Sequence, residues 1–144
     1  MRLTTRTNLA LRTLMACASN PDRTLRKHEV AQACKASENH LAQVIHGLAL
    51  AGFVITHRGR AGGLRLARPP AHITVGAVVR HFESSLPFAP CLEPGGGDCP
   101  LAGCCRLTSA LTVALEAFHA ALDAVTVADL VIGNAPLTAL LRVA

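Results

Sequence analysis

The sequence predicts a mainly α-helical chain with one small β-hairpin and a long helix in its second half. Three observations carry this. Aromatic residues are only 3% of the 144 residues, with no Trp or Tyr, while 51% are apolar. The core must then be Leu, Val and Ala, a composition that favours helices. Apolar residues recur at helical spacing in three successive segments of the first half, and the third runs into short alternating stretches around a Gly-rich turn. Beyond residue 100 an apolar stripe keeps helical spacing for five turns. The length suits one compact domain with an added arm or dimerisation helix.

In chain order, "RTNLALRTLMACAS" (6–19) places Leu9, Thr13, Ala16 and Leu11, Leu14, Met15, Ala18 at helical spacings, and "NPD" ends it. "RKHEVAQACK" (26–35) fits a second short helix with Val30, Ala31 and Cys34 inside. A third helix starts at Ser37, a good N-cap, and runs through "ENHLAQVIHGLALAG". Leu41, Val44, Ile45 and Leu48 form its apolar face, Asn39, His40, Gln43 and His46 lie mainly on other faces, and Gly52 is its stop. In "FVITHRGRAGGLRLARPP", Phe53–His57 is β-branched and apolar, "RGRAGG" is a turn, and Leu64 and Leu66 alternate with Arg65, which reads as a hairpin with a basic tip.

A helix at about 74–83 follows, capped by Thr74, with Val75, Val78, Val79 and Phe82 apolar. A Pro/Gly-rich loop at about 86–105 holds four of the six cysteines. The long helix, at about 104–125, carries Leu107, Ala110, Leu111, Ala114, Leu115, Phe118, Ala121, Leu122 and Val125. A helix this apolar leaves much surface to cover, which predicts packing against a second subunit. The tail, "TVADLVIGNAPLTALL", reads as a short helix and a loosely packed end.

Charge divides the chain. Residues 1–70 hold eleven Lys/Arg against three Asp/Glu, whereas residues 71–144 hold three against six, within a net charge of +5. A basic first half implies a polyanionic partner. The "LMAC" at Leu14–Cys17 is not a lipoprotein signal, because Arg12 leaves only about five apolar-leaning residues before it. No uncharged run approaches the roughly 20 residues of a membrane span. The expected place is the cytoplasm, where thiols stay reduced and structural disulfides are disfavoured. No nucleophile–base pair or phosphate loop points to an enzyme.

Three helices, the third with polar outward residues, followed by a basic hairpin, make a winged helix-turn-helix over residues 1–70. Residues 71–144 supply the cysteine loop, the dimerisation helix and the tail. In such a module the third helix enters the major groove of double-stranded DNA and the wing reaches phosphates or the minor groove. Asn39, His40, Gln43 and His46 suit base edges, with Ser37 at the start of the same helix. Arg58, Arg60 and Arg65 supply cations, and Gly59, Gly62 and Gly63 let the wing backbone come close to the duplex.

The loop cysteines, Cys91, Cys99, Cys104 and Cys105, lack the tight paired knuckles of structural zinc. A zinc site and a metal-free thiol switch stay open, but an iron–sulfur cluster fits best, because widely spaced thiolates can reach its corners. Cys17 and Cys34 fall on helix faces, where a buried cysteine acts as a small apolar residue.

"MRLTTRTNLALRTLM", "ASENHLAQVIHGLALAGFVITHRGRAGGLRLARPP", "ALEAFHAALDAVTVADL" and the "C…C…CRL" loop resemble the Rrf2 family of iron–sulfur winged-helix regulators across nearly the whole chain. The cysteine spacing points to the nitric-oxide-responsive repressors of its NsrR branch. The resemblance implies a cluster, 4Fe–4S foremost with 2Fe–2S as the alternative, held by Cys91, Cys99 and Cys105, with Cys104 a bystander. It also implies a homodimer on a palindromic operator, with nitric oxide as the signal and nitric oxide detoxification genes as targets. Asn8, in "TNLALR", stands where the branch brings a residue near the partner subunit's cluster. It either binds weakly through its carbonyl oxygen, leaves the site to water or a small thiol, or only hydrogen-bonds nearby. Arg12, one turn on, either pairs with the cluster shell or is an ordinary surface residue. The IscR branch, which senses cluster supply with a histidine shortly after the third cysteine, is the alternative, although Arg106, Leu107 and Thr108 stand there and the next histidine is His119.

Overall fold

The computed structural model describes residues 3–59, 62–84, 87–93, 98–101 and 103–143. The first helix, α1 (Thr5–Ser19), starts at Thr4, whose hydroxyl accepts from the Thr7 backbone N–H at 3.2 Å. Helix α2 (Lys27–Ala33) begins with the Glu29 carboxylate accepting the Arg26 backbone N–H at 2.6 Å. It is shorter than the sequence predicts. Cys34 closes it and Lys35 turns into the left-handed region at φ 50°, which a helix cannot continue through. Helix α3 (Glu38–Leu50) follows the expected pattern: Ser37 accepts from the His40 N–H at 3.3 Å, Leu41, Val44, Ile45 and Leu48 are buried, and Gly52 stops the helix at φ 70°.

Strands β1 (Val54–His57) and β2 (Gly63–Leu66) pair antiparallel, with Ile55 opposite Arg65 and His57 opposite Gly63. Phe53 lies outside the strand and in the core, with the Arg68 guanidinium 5.2 Å from its ring centroid. Leu25, on the way from α1 to α2, adds a short bridge to Leu64 on the other edge of β2. The wing is thus tied at its base to the helical body.

After a 3-10 turn at Pro70–His72 comes α4 (Val75–Glu83), capped by Thr74 as expected. Helix α5 (Arg106–Asp123) starts one residue after Cys105, somewhat inside the expected bounds. The two helices are clasped at one end. Val75 N–H donates to Val125 O at 2.8 Å, Val127 N–H to Ile73 O at 2.8 Å, and Arg80 pairs with Asp123 at 2.5 Å.

The tail departs from the expectation. It forms two helices, α6 (Val127–Val131) and α7 (Ala135–Leu141), and both pack against α1. Val127 and Leu141 join Leu14, Leu25, Leu41, Leu48, Leu64, Ile73 and Val78 in one continuous core. The buried Asn20 amide anchors the end: it donates to Ala16 O at 2.8 Å and Leu141 O at 2.9 Å, and its oxygen accepts the Val143 N–H at 3.2 Å. A buried side-chain amide this fully satisfied fixes where the chain must return.

Candidate nucleic-acid interface and cysteine loop

Most of the described residues expected to meet DNA are exposed, on α3 and on the wing. On α3, Asn39, Gln43 and His46 are exposed and His40 is half-buried, because the opposite face is the apolar stripe that fills the core. Ser37 is exposed at the start of the helix, its oxygen engaged by His40 N–H. On the wing, Arg58, Gly59 and Arg65 are exposed, while Arg60 lies outside the described residues. Gly62 and Gly63 have a reason inside the wing. A Cβ on Gly62 would strike the His57 carbonyl, and one on Gly63 the Leu25 carbonyl. Gly59, at φ 102°, has open space where a Cβ would point, so here the backbone is accessible.

Of the other cations in this half, Lys27 pairs with Glu38 at 3.1 Å and Arg23 with Glu29 at 3.2 Å. Arg12 donates to the Cys34 carbonyl at 3.4 Å, at the end of α2. Asn8 is exposed on the second turn of α1, with no hydrogen bond to its side chain among the described residues.

Sequence reasoning missed one cluster beside it. The Glu83 carboxylate, last in α4, accepts the Thr4 N–H at 2.8 Å, the Thr4 hydroxyl at 2.9 Å and the Thr7 hydroxyl. Burial raises the Glu83 pKa, but the donors from Thr7 and Thr4 outweigh it and hold the group below its ordinary value. No motif marks this hub, since the partner of Thr4 and Thr7 stands 79 and 76 positions away. It ties the start of the helix bearing Asn8 to the end of α4.

In that loop, Cys91 lies on a 3-10 turn, Pro90–Leu92, that packs against α5. Cys91, Cys99 and Cys105 are half-buried and Cys104 is exposed, its thiol donating to the Leu101 carbonyl at 3.3 Å. Cys105 is the N-cap of α5. Its side chain makes no cap hydrogen bond, but the Thr108 and Leu107 N–H groups and the Thr108 hydroxyl at the helix start favour the thiolate and lower its pKa below the ordinary 9.0. Among the described residues no three His, Cys, Asp or Glu side chains are gathered at metal-binding distance. The donor chemistry nevertheless suits a thiolate-bound cluster, because Cys105 sits where a thiolate is stabilised and Cys104 where its proton is used.

The remaining cysteines are of the other kind. Burial, with Cys34 close by, pushes the Cys17 thiol up to about 12, and burial raises Cys34 against the pull of Arg12. His119 is on α5, fourteen residues beyond Cys105, which at helical rise is about 21 Å along the axis. It cannot share a small cluster with Cys105 of its own subunit.

Among the described residues no helix is long and apolar enough to cross a membrane. Residues 3–133 match the family model described as Rrf2, an iron-dependent transcriptional regulator. The chain is 47% identical to protein aau3 of Rhizobium meliloti, over 91% of this chain and 85% of that one. It is 43% identical to the HTH-type transcriptional regulator NsrR of Geobacillus kaustophilus, over 99% and 97%. It is 44% identical to the HTH-type transcriptional repressor NsrR of Streptomyces coelicolor, over 91% and 88%. Among solved structures, IscR of T. potens superimposes with a TM-score of 0.72 at 26% identity, covering 90% of this chain and 85% of that one. CymR, the global cysteine regulator of B. subtilis, does so with a TM-score of 0.72 at 25% identity, covering 91% and 96%. With the helix-turn-helix, the wing and the cysteine loop in place, the chain belongs to the Rrf2 family of transcriptional regulators, whose members are not enzymes, and is NsrR-like within it.

Proposed function

We propose that this regulator is a homodimeric repressor that reads a palindromic operator with α3 and the wing and senses nitric oxide at an iron–sulfur cluster, 4Fe–4S foremost. Residues 1–70 supply the DNA-reading surface, and residues 71–144 the cluster loop and the dimerisation helix. Cys91, Cys99 and Cys105 hold the cluster and Cys104 does not. Asn8 of the partner subunit supplies the fourth contact, a neutral amide oxygen in place of a thiolate. When bound, the cluster supplies iron sites open to a small diatomic ligand.

The observation that carries this reading is Cys105 at the N-cap of α5. A sulfur bonded there fixes the loop to the first turn of the helix that carries the subunit contact. Helix α5 has no buried residue in the single chain, and Leu107 and Val113 are 62% and 65% exposed, which leaves an apolar stripe for a second copy to cover. Two α3 helices held by that contact would meet successive turns of a palindrome. Freed thiolates would release the loop and, through Glu83 and Thr4, loosen the start of α1, so that the spacing of the two α3 helices is lost. The relatives named NsrR, one of them a repressor, support the same reading.

Anaerobic purification with visible spectroscopy, followed by nitric oxide titration beside a DNA shift assay, tests it. The expected protein is coloured and loses both colour and DNA affinity on titration. Cys91→Ala, Cys99→Ala and Cys105→Ala each lose the colour and Cys104→Ala keeps it. Arg60→Ala weakens DNA binding without changing the spectrum. A colourless protein with stoichiometric zinc overturns the cluster, and unchanged DNA affinity in Arg60→Ala counts against the wing.

A further inference from the structure

Lys35 occupies a backbone conformation that an L side chain rarely adopts. Its φ of 50° is in the left-handed region, and it is the one non-glycine residue with positive φ among the described residues. Glycine is the usual solution for such a turn between two helices. Asn or Asp would offset the strain by bonding locally, which a lysine ammonium at the end of four methylenes does not do.

The turn leaves no freedom to avoid the strain. Lys35 N–H donates to Gln32 O at 3.1 Å and Ala36 N–H to Ala31 O at 2.9 Å, so the backbone is held on both sides of the residue. The side chain itself is exposed, and among the described residues nothing pairs with it. Its neighbours differ, with Lys27 spent on Glu38 and Arg23 on Glu29. A strained position occupied by an unpaired cation, two residues before the α3 N-cap, calls for a ligand-based explanation.

We infer that Lys35 is a DNA-phosphate contact, held by the strained turn at the edge of the groove that α3 enters. This rests on the reading of α3 as the recognition helix. The N-terminal residues of such a helix reach base edges, so the turn before it lies over the sugar–phosphate backbone. A lysine there serves as a point charge, adding affinity without sequence preference.

The test uses the full-length protein, a mixed-sequence DNA duplex over a range of salt concentrations, and thermal unfolding. Lys35→Gly relieves the strain and removes the charge. It is expected to raise Tm by about 2–4 °C. It should also cut the slope of log affinity against log salt by about 0.9 per subunit and weaken binding severalfold. Lys35→Arg restores the slope, and Lys35→Gln loses it without the gain in Tm. An unchanged slope in Lys35→Gly, with wild-type protein binding the duplex, overturns the proposal alone. Wild-type protein that binds no duplex removes the reading beneath it, and the proposal with it.

Discussion

Gly63→Ala tests how the wing is moored. A Cβ at this position would strike the Leu25 carbonyl oxygen and lie 2.9 Å from both the Leu25 carbonyl carbon and Thr24 Cγ2. Two of these atoms are backbone and cannot swing aside. That carbonyl accepts the Leu64 N–H at 2.8 Å, while Leu25 N–H donates to Leu64 O at 2.9 Å. Holding the strand in place costs about 1–3 kcal/mol of overpacking. Letting it retreat loses two backbone hydrogen bonds at about 0.5–1.5 kcal/mol each. Either course costs about 1–3 kcal/mol, and the chain takes the cheaper of the two. With about 2.1 cal/mol/K of unfolding entropy per residue over 144 residues, Tm falls by roughly 3–10 °C. Thermal unfolding followed by circular dichroism measures it, with Arg65→Ala as an exposed control that leaves Tm in place. A Tm within about 2 °C of wild type would show that the Leu25–Leu64 bridge does not hold the wing.

Three further outcomes are expected. The Glu83 pKa is depressed in the folded chain, so its contribution is present above the ordinary value of 4.5 and is lost as pH falls through the folded value. Glu83→Ala should lower Tm at neutral pH and flatten its acid dependence; a parallel Tm–pH curve would exclude Glu83 from the linkage. In metal-free protein, Cys105, whose thiolate persists to lower pH than an ordinary thiol, should alkylate faster near neutrality than Cys104, as followed by mass spectrometry. Faster labelling at Cys104 would contradict the capping argument. Asn20→Ala orphans the Leu141 carbonyl and the Val143 N–H, at a cost of about 2–3 kcal/mol. Amide exchange should then rise across α7 well before the rest of the core, and uniform exchange would mean that α7 is held by other contacts.

What could be read from the sequence was local. Ser37 and Thr74 as caps, Gly52 as a stop and the α3 stripe are signals within one or two turns, and each lies where the pattern placed it. The early end of α2 escaped notice because "ACK" is helix-compatible in composition, and only the backbone shows Lys35 turning out of the helix. The docking of α7 escaped for another reason. Its signal is an asparagine 121 residues from the carbonyl it binds, and neither end carries a periodic pattern. At the cysteine loop, spacing separates the buried Cys17 and Cys34 from the loop four, but only geometry shows Cys104 donating its proton and Cys105 standing at the N-cap position of a helix.

The return of α7 to α1 also matters for synthesis. The core that supports α3 includes Leu141, and the Asn20 amide finds its last partners only at Leu141 and Val143. A ribosome adds roughly 5–20 residues per second, so α3 and the wing emerge several seconds before the core beneath them is complete. Contacts this distant in sequence form late and slowly. During that interval α3 and the wing stand without the part of the core that Leu141 supplies.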